Sequence, residues 1–291
     1  MRRLNLQSGQ ALVLVLLGLA VVLTIVLFIL SRSITDISVS SSQSQSVSAF
    51  SAAEAGVEQS LVIGTSNSNS VGAANYSAVV TNVAQNETGF VYPIELNSGD
   101  NMTLWLKSQD SSSDFSGTSL KICWGKVGAY SNQNLIPAIE SVVFYETSAN
   151  DPSTVKVFRE AFDPYSLRAT AGVSGVSPNG FSAPDNSNGS CAIDGQNFQF
   201  QATVSLAGLA NPQYALVRMF YNSDTSQPVA FADSVNSHDF PTQGILIDSS
   251  GSAGGTSDAP QSTRKVEVFQ SWPAVPDVFQ YAVYSSTGLT K

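Results

Sequence analysis

The longest feature of the hydrophobic pattern is an unbroken apolar run. Ala11–Leu30 carries no charge and is interrupted only by Gly18 and Thr24. A helix of that length spans about 30 Å, the hydrocarbon thickness of a bilayer. A secretory signal would need a shorter apolar core followed by a small-residue cleavage site. Ser31-Arg32-Ser33 is not such a site. Arg2 and Arg3 precede the run, while Arg32 and Asp36 nearly cancel behind it. The positive-inside rule therefore predicts a single-pass protein with a cytoplasmic N-terminus and residues 31–291 extracytoplasmic. Helical pattern continues past the run. Residues 31–63 contain no proline and only Gly56. Leu30, Ile34 and Ile37 fall at helical spacing, and Phe50, Val57 and Leu61 mark a later face. Ser38–Ser48, mostly Ser and Gln, has weak helix propensity and reads alternatively as a linker. The strongly helical Ala49–Glu58 favours one helix over residues 11–63, about 80 Å long, weakest in its serine-rich part. Gly64 is a natural stop, and the Ser/Asn run behind it reads as a turn or short linker.

From residue 65 onward the pattern changes to short alternating runs. Strands are predicted at Asn75–Val83, Met102–Leu106, Leu120–Trp124, Ala138–Glu146 and Val155–Arg159. Others are predicted at Asn197–Leu206, Ala215–Asn222, Val229–Ala232, Gly244–Asp248, Lys265–Gln270 and Gln280–Tyr284. Many short strands without a good helical stretch point to an antiparallel β-sandwich head over residues 65–291, giving an α+β lollipop. Ser249–Gln261, rich in Ser, Gly and Asp, reads as the loop of a long hairpin. A finer division sets a sandwich of residues 88–235 into an outer sheet formed by residues 71–84 and 243–285.

Composition sharpens this division. All 12 prolines lie at or after Pro93, and residues 1–64 are net neutral, so the rest of the chain carries the whole charge of −9. With 13 Lys and Arg against 22 Asp and Glu, a nucleic-acid partner is not indicated. His238 is the only histidine and sits among polar loop residues without a recognisable partner. No zinc, P-loop or dinucleotide-binding motif occurs, so the sequence points to no catalytic residue and no enzyme. Asp185-Asn-Ser-Asn-Gly-Ser190 has the oxygen ligands of a calcium loop, but its glycine comes one place early and the bidentate glutamate is missing. A turn is the preferred reading, with Ca²⁺ as the one cofactor worth testing. Cys123 and Cys191 read as one disulfide in an oxidising space or as two buried thiols, since spacing alone does not establish proximity. Trp105, Trp124 and Trp272 read as core residues before adhesive ones. Four glycosylation sequons begin at Asn75, Asn86, Asn101 and Asn188.

A charged leader, then glycine, then an apolar helix running into an amphipathic one resembles the type IV prepilins. In that family a peptidase cuts directly after the glycine. The resemblance implies a leader Met1–Gly9, a processing site at Gly9 and Gln10, and a mature helix over residues 10–64. Ala49-Phe50-Ser51-Ala52-Ala53-Glu54-Ala55-Gly56 is similar to the signature of PilX-type minor pilins, carried here by Phe50, Ala53, Glu54 and Gly56. Gly9-Gln-Ala-Leu-Val13 is more weakly similar to tight-adherence pseudopilins. Most prepilins place a glutamate at mature position five, where this chain has Leu14. An unpaired charge in an apolar filament core is expensive. The departure therefore implies a filament tip or a low-copy position. The implied partners are the lipid bilayer, other pilin or pseudopilin subunits through the helix, and the prepilin peptidase. The implied function is that of a minor subunit of a type IV pilus or related secretion filament. The alternative is a single-pass, membrane-anchored binding or adhesion domain at the cell surface, for which Leu14 is only one more apolar residue.

Overall fold

The structure, a computed structural model, describes residues 8–110, 112–128, 135–171, 178–255 and 261–274. Side chains are described from Leu12 onward. Most of the leader and the strand expected at Gln280–Tyr284 lie outside these residues. The fold is α+β: one long N-terminal helix followed by mainly antiparallel sheets. The chain divides into two compact units, residues 1–80 with 247–268 and residues 81–246 with 269–291.

In the first unit, helix α1 runs unbroken from Ser8 to Ile63, about 84 Å at the standard rise. The serine-rich stretch does not interrupt it. Arg264 donates to Ser46 Oγ from both Nε and Nη2, at 2.8 and 2.6 Å, and so anchors that stretch from outside the helix. The helix ends where the sequence places its stop. Gly64 takes φ +69° and its N–H donates to the Ser60 carbonyl at 2.8 Å, a left-handed cap that suits glycine.

The unit's sheet has the order β1-β2-β12-β13, from β1 (Asn67–Val71), β2 (Ala74–Val83), β12 (Gly244–Ala253) and β13 (Ser262–Ser271). Two expectations are corrected here. The Ser/Asn run is not a linker but edge strand β1, paired antiparallel with β2 from Asn67↔Ala78 to Val71↔Ala74. Its side chains are almost all exposed, so backbone pairing makes the strand and leaves no apolar alternation to read. Likewise Ser249–Ala253 is not loop but the second half of β12. Its small residues are dictated by the close approach of the helix. A Cβ at Gly251 would fall on the Ala49 carbonyl oxygen and 2.6 Å from the Ala53 nitrogen, both backbone atoms of α1. We expect Gly251→Ala to destabilise this unit by about 1–3 kcal/mol, the usual cost of overpacking. Gly128→Ala, which meets open space at an ordinary φ, should change little. Urea midpoints of the two variants compare them directly.

In the second unit, two sheets face each other. One has the order β4-β10-β6-β7, from β4 (Asn101–Trp105), β6 (Ala138–Glu146), β7 (Val155–Phe162) and β10 (Pro212–Phe220). The other has the order β3-β11-β5-β9-β8, from β3 (Gly89–Val91), β5 (Ser119–Lys126), β8 (Cys191–Ile193), β9 (Gln196–Ser205) and β11 (Val229–Asp233). Inward residues of both sheets, among them Leu104, Ile122, Val143, Val204, Val217 and Phe231, form one core. Strands β3 and β8 are missing from the sequence reading because three residues are too few to show a period. Trp124 is fully buried, with Nε1 donating to the Pro137 carbonyl at 3.0 Å.

Cys123 and Cys191 form a disulfide, with Cα atoms 6.2 Å apart. It holds β8 against the outer face of β5 and β11. There Cys123, Cys191, Ile193, Phe198, Ala230 and Ala232 make a second small core.

Candidate functional site

The described part of α1 divides into two stretches with different surroundings. From Leu12 to Val39 every large apolar side chain is exposed, on all sides of the helix. Leu14 is 69% exposed. This is the one helix among the described residues that is long and apolar enough to cross a membrane. Its polar interruptions are satisfied within the helix. Thr24 Oγ1 donates to the Val21 carbonyl at 2.8 Å, and Thr35 Oγ1 to the Ser31 carbonyl at 3.0 Å. Such back-bonding lets a hydroxyl sit in an apolar medium without an orphaned donor.

From Ala49 to Ser60 the helix buries one stripe. Ala49, Ala52, Ala53, Gly56 and Ser60 are buried, and the steps 49–53, 52–56, 53–56 and 56–60 are the three- and four-residue spacings of one helical face. Ala49 and Ala52 pack with Ala74, Tyr76, Ala78 and Ala253 of the sheet. Gly56 is required by this contact, since a Cβ there would meet Ser249 Oγ and come within 2.7 Å of the Tyr76 ring. The residues of the Ala49–Gly56 stretch therefore divide between two faces. Ala53 and Gly56 face the sheet, whereas Phe50, 46% exposed, and Glu54 face away from it. Gly9 and Gln10 lie in the first turns of the helix, and their side chains are outside the described residues.

The remaining sequence candidates occupy separate places. In the Asp185–Ser190 loop the side-chain oxygens close turns. Asn186 Oδ1 accepts from Asn188 N at 2.8 Å, and Asn188 Oδ1 accepts from Ser190 N at 3.1 Å. No group of three His, Cys, Asp or Glu side chains suited to a metal occurs among the described residues.

His238 does have a partner, contrary to the sequence reading. Its Nδ1 lies 2.9 Å from Asp233 Oδ2, and the same oxygen accepts the backbone N–H of Ser237 at 2.9 Å and of His238 at 3.1 Å. The Ser237 hydroxyl also meets Nδ1, so this is a carboxylate that closes a turn. Burial opposes ionisation of Asp233, yet those hydrogen bonds and the facing imidazole hold its pKa below the ordinary value. A depressed carboxylate pKa contributes stability that is present above the unfolded pKa of about 3.9 and is lost as pH falls through the folded value. We therefore expect Asp233→Asn to be less stable than the parent at pH 7, with the gap closing below about pH 3.9. Urea denaturation across pH checks both the sign and the window.

A buried cluster that the sequence reading did not single out sits between β7 and β8. Arg168 donates to Asp163 through Nε at 3.0 Å and Nη2 at 2.8 Å, and through Nη2 to the Ile136 carbonyl at 2.9 Å. Its guanidinium stacks over Tyr221 at 4.2 Å. Asn179 Nδ2 donates to both Asp163 Oδ2 and Tyr221 Oη. Comparison with protein-family models, curated proteins and solved structures finds no match to this chain.

Proposed function

We propose that the chain is a membrane-inserted, minor pilin-like subunit of a type IV pilus or related secretion filament. One observation carries this reading: a single helix that is apolar and uncovered on every side along its N-terminal half, then fastened by one stripe to a sheet. A helix apolar all round belongs in lipid or among other apolar helices. In this reading α1 is stored in the bilayer, the leader is removed after Gly9, and the helix is extracted to pack against neighbouring subunits. Leu14 brings no charge that would need an answering amine, which suits a tip or low-copy position. Phe50 and Glu54 remain available to a neighbouring helix, while the acidic head is displayed outside the cell.

A permanently anchored surface domain would use the same helix as a simple anchor, and a Gly9→Leu substitution separates the two. The proposal expects a membrane-bound precursor of unchanged length that is absent from sheared filaments. A variant that matches the parent in size and in filament content would contradict it.

A further inference from the structure

Two polar side chains are neighbours inside the second unit at its β7 side. Ser141 and Glu160 stand directly opposite each other in the β6–β7 register, so they share a sheet face with Cβ atoms about 5 Å apart. That face is the inner one. Ser141 alternates with Ile139 and Val143 and also opposes Val217, all three in the main core. Ser141 is fully buried, and its Oγ has no hydrogen-bond partner among the described residues. Glu160 Oε2 is likewise buried without a partner. A buried hydroxyl and a buried carboxylate oxygen left unpaired side by side are costly unless a ligand joins them.

The surroundings add a second carboxylate. Ser182 closes onto β7, its N–H donating to the Ala161 carbonyl at 2.9 Å and its carbonyl accepting the Asp163 N–H at 2.8 Å. Four residues on, Asn186 exchanges backbone bonds of 3.1 and 2.9 Å with Gln201 of β9. Residues 182–186 thus strap an edge strand of one sheet to a strand of the other, and Asp185 lies on the strap. Ser205, at the end of β9, donates its N–H to Glu160. Burial and the Asp185 carboxylate push the Glu160 pKa up, more than the Ser205 bond pulls it down. Arg159 answers neither acid, since it lies on the outer face and pairs there with Glu140.

We infer that Glu160, Asp185 and Ser141 hold a calcium ion that fastens the strap across the two sheets. The donors are all hard oxygens, which suit Ca²⁺ and not the softer zinc or copper. Two carboxylates and a hydroxyl supply at most five positions, and water completes a shell of six to eight. Mg²⁺ demands a tighter octahedron, which donors from three separate segments fit poorly. The ion satisfies Ser141 Oγ and Glu160 Oε2 together and offsets the repulsion between the two acids. With only two carboxylates the affinity falls at about 10⁻⁴–10⁻³ M, the range of extracellular modules. Of the Asp185–Ser190 loop only Asp185 takes part, because Asn186 and Asn188 spend their side-chain oxygens on turns.

Melting of the full chain in detergent micelles, after metal removal with EDTA, tests this. All three tryptophans belong to the second unit, so their fluorescence follows its unfolding. About 10 mM Ca²⁺ should raise the melting temperature by about 3–6 °C, and Mg²⁺ at the same concentration should raise it clearly less. Glu160→Gln should abolish the shift. Ser141→Ala should melt no lower than the metal-free parent, since it loses an unpaired hydroxyl, yet should bind calcium at least about threefold more weakly. Asp224→Asn, which removes an exposed acid elsewhere on the unit, should keep the full shift. Absence of a calcium shift in the parent would overturn the inference, as would undiminished binding by Ser141→Ala. A shift that Mg²⁺ matches, or that Glu160→Gln retains, would assign the effect to general surface charge and equally overturn it.

Discussion

Replacing Asp163 with alanine should cost about 3–5 kcal/mol, the penalty for leaving a buried charge without its partner. Asp163 is fully buried and Arg168 nearly so. The carboxylate is also a structural hub, since Oδ1 accepts the Tyr165 N–H at 2.9 Å and Oδ2 accepts Asn179. Its removal takes the countercharge from a guanidinium in a low-dielectric site and frees two further donors. Glu95→Gln gives the contrast. Its pair with Lys126 is also formed at 2.9 Å, but both side chains are about half exposed. Exposed pairs contribute about 0–1 kcal/mol. Urea midpoints of the two variants should therefore differ several-fold in their shift, although the ion-pair distances are nearly equal.

The second large effect is expected from loss of the disulfide. Cys123 and Cys191 are 68 residues apart in sequence. Restraining a loop of that length in the unfolded chain is worth about 4 kcal/mol in the chain-entropy model. The bond also has a local task. Strand β8 has three residues, Cys191–Ile193, and meets β9 through three register pairs, too little to persist alone. The Cys123→Ala, Cys191→Ala double variant should thus lose about 2–4 kcal/mol. It should also expose the small outer core around Phe198 and Ala230 before the main core opens. A hydrophobic dye titrated against urea, with and without reductant, reads both events. Unchanged stability under reductant would show that packing, not the bond, holds β8.

The long-range plan was legible in the sequence because it rests on long, strongly periodic segments. The apolar run, the glycine at the helix end and the buried strands such as Ala138–Glu146 and Gln196–Ser205 announce themselves by composition or alternation. What was not legible rests on tertiary contact. Strand β1 is polar on both faces and exists through backbone pairing with β2. The end of β12 looks like a flexible loop only because Gly251 must admit the backbone of α1. His238 and Asp233 are five residues apart and meet around a turn whose shape no spacing rule supplies. The Asp163–Arg168 pair is close in sequence, but its value depends on the Ile136 carbonyl, Asn179 and Tyr221 closing over it.

Of the candidate site, the long apolar helix was readable and the division of its C-terminal part into a covered and an open face was not. The spacing of Ala49, Ala52, Ala53 and Gly56 marks a face of small residues, but only the sheet shows which face is covered. Phe50 and Glu54 are left on the other side. That division makes processing and helix extraction the central claim, and the first residue of the mature chain tests it most directly. N-terminal sequencing of the protein purified from membranes of cells that carry a prepilin peptidase should begin at Gln10. A chain that still begins at Met1 in those cells would contradict the proposal.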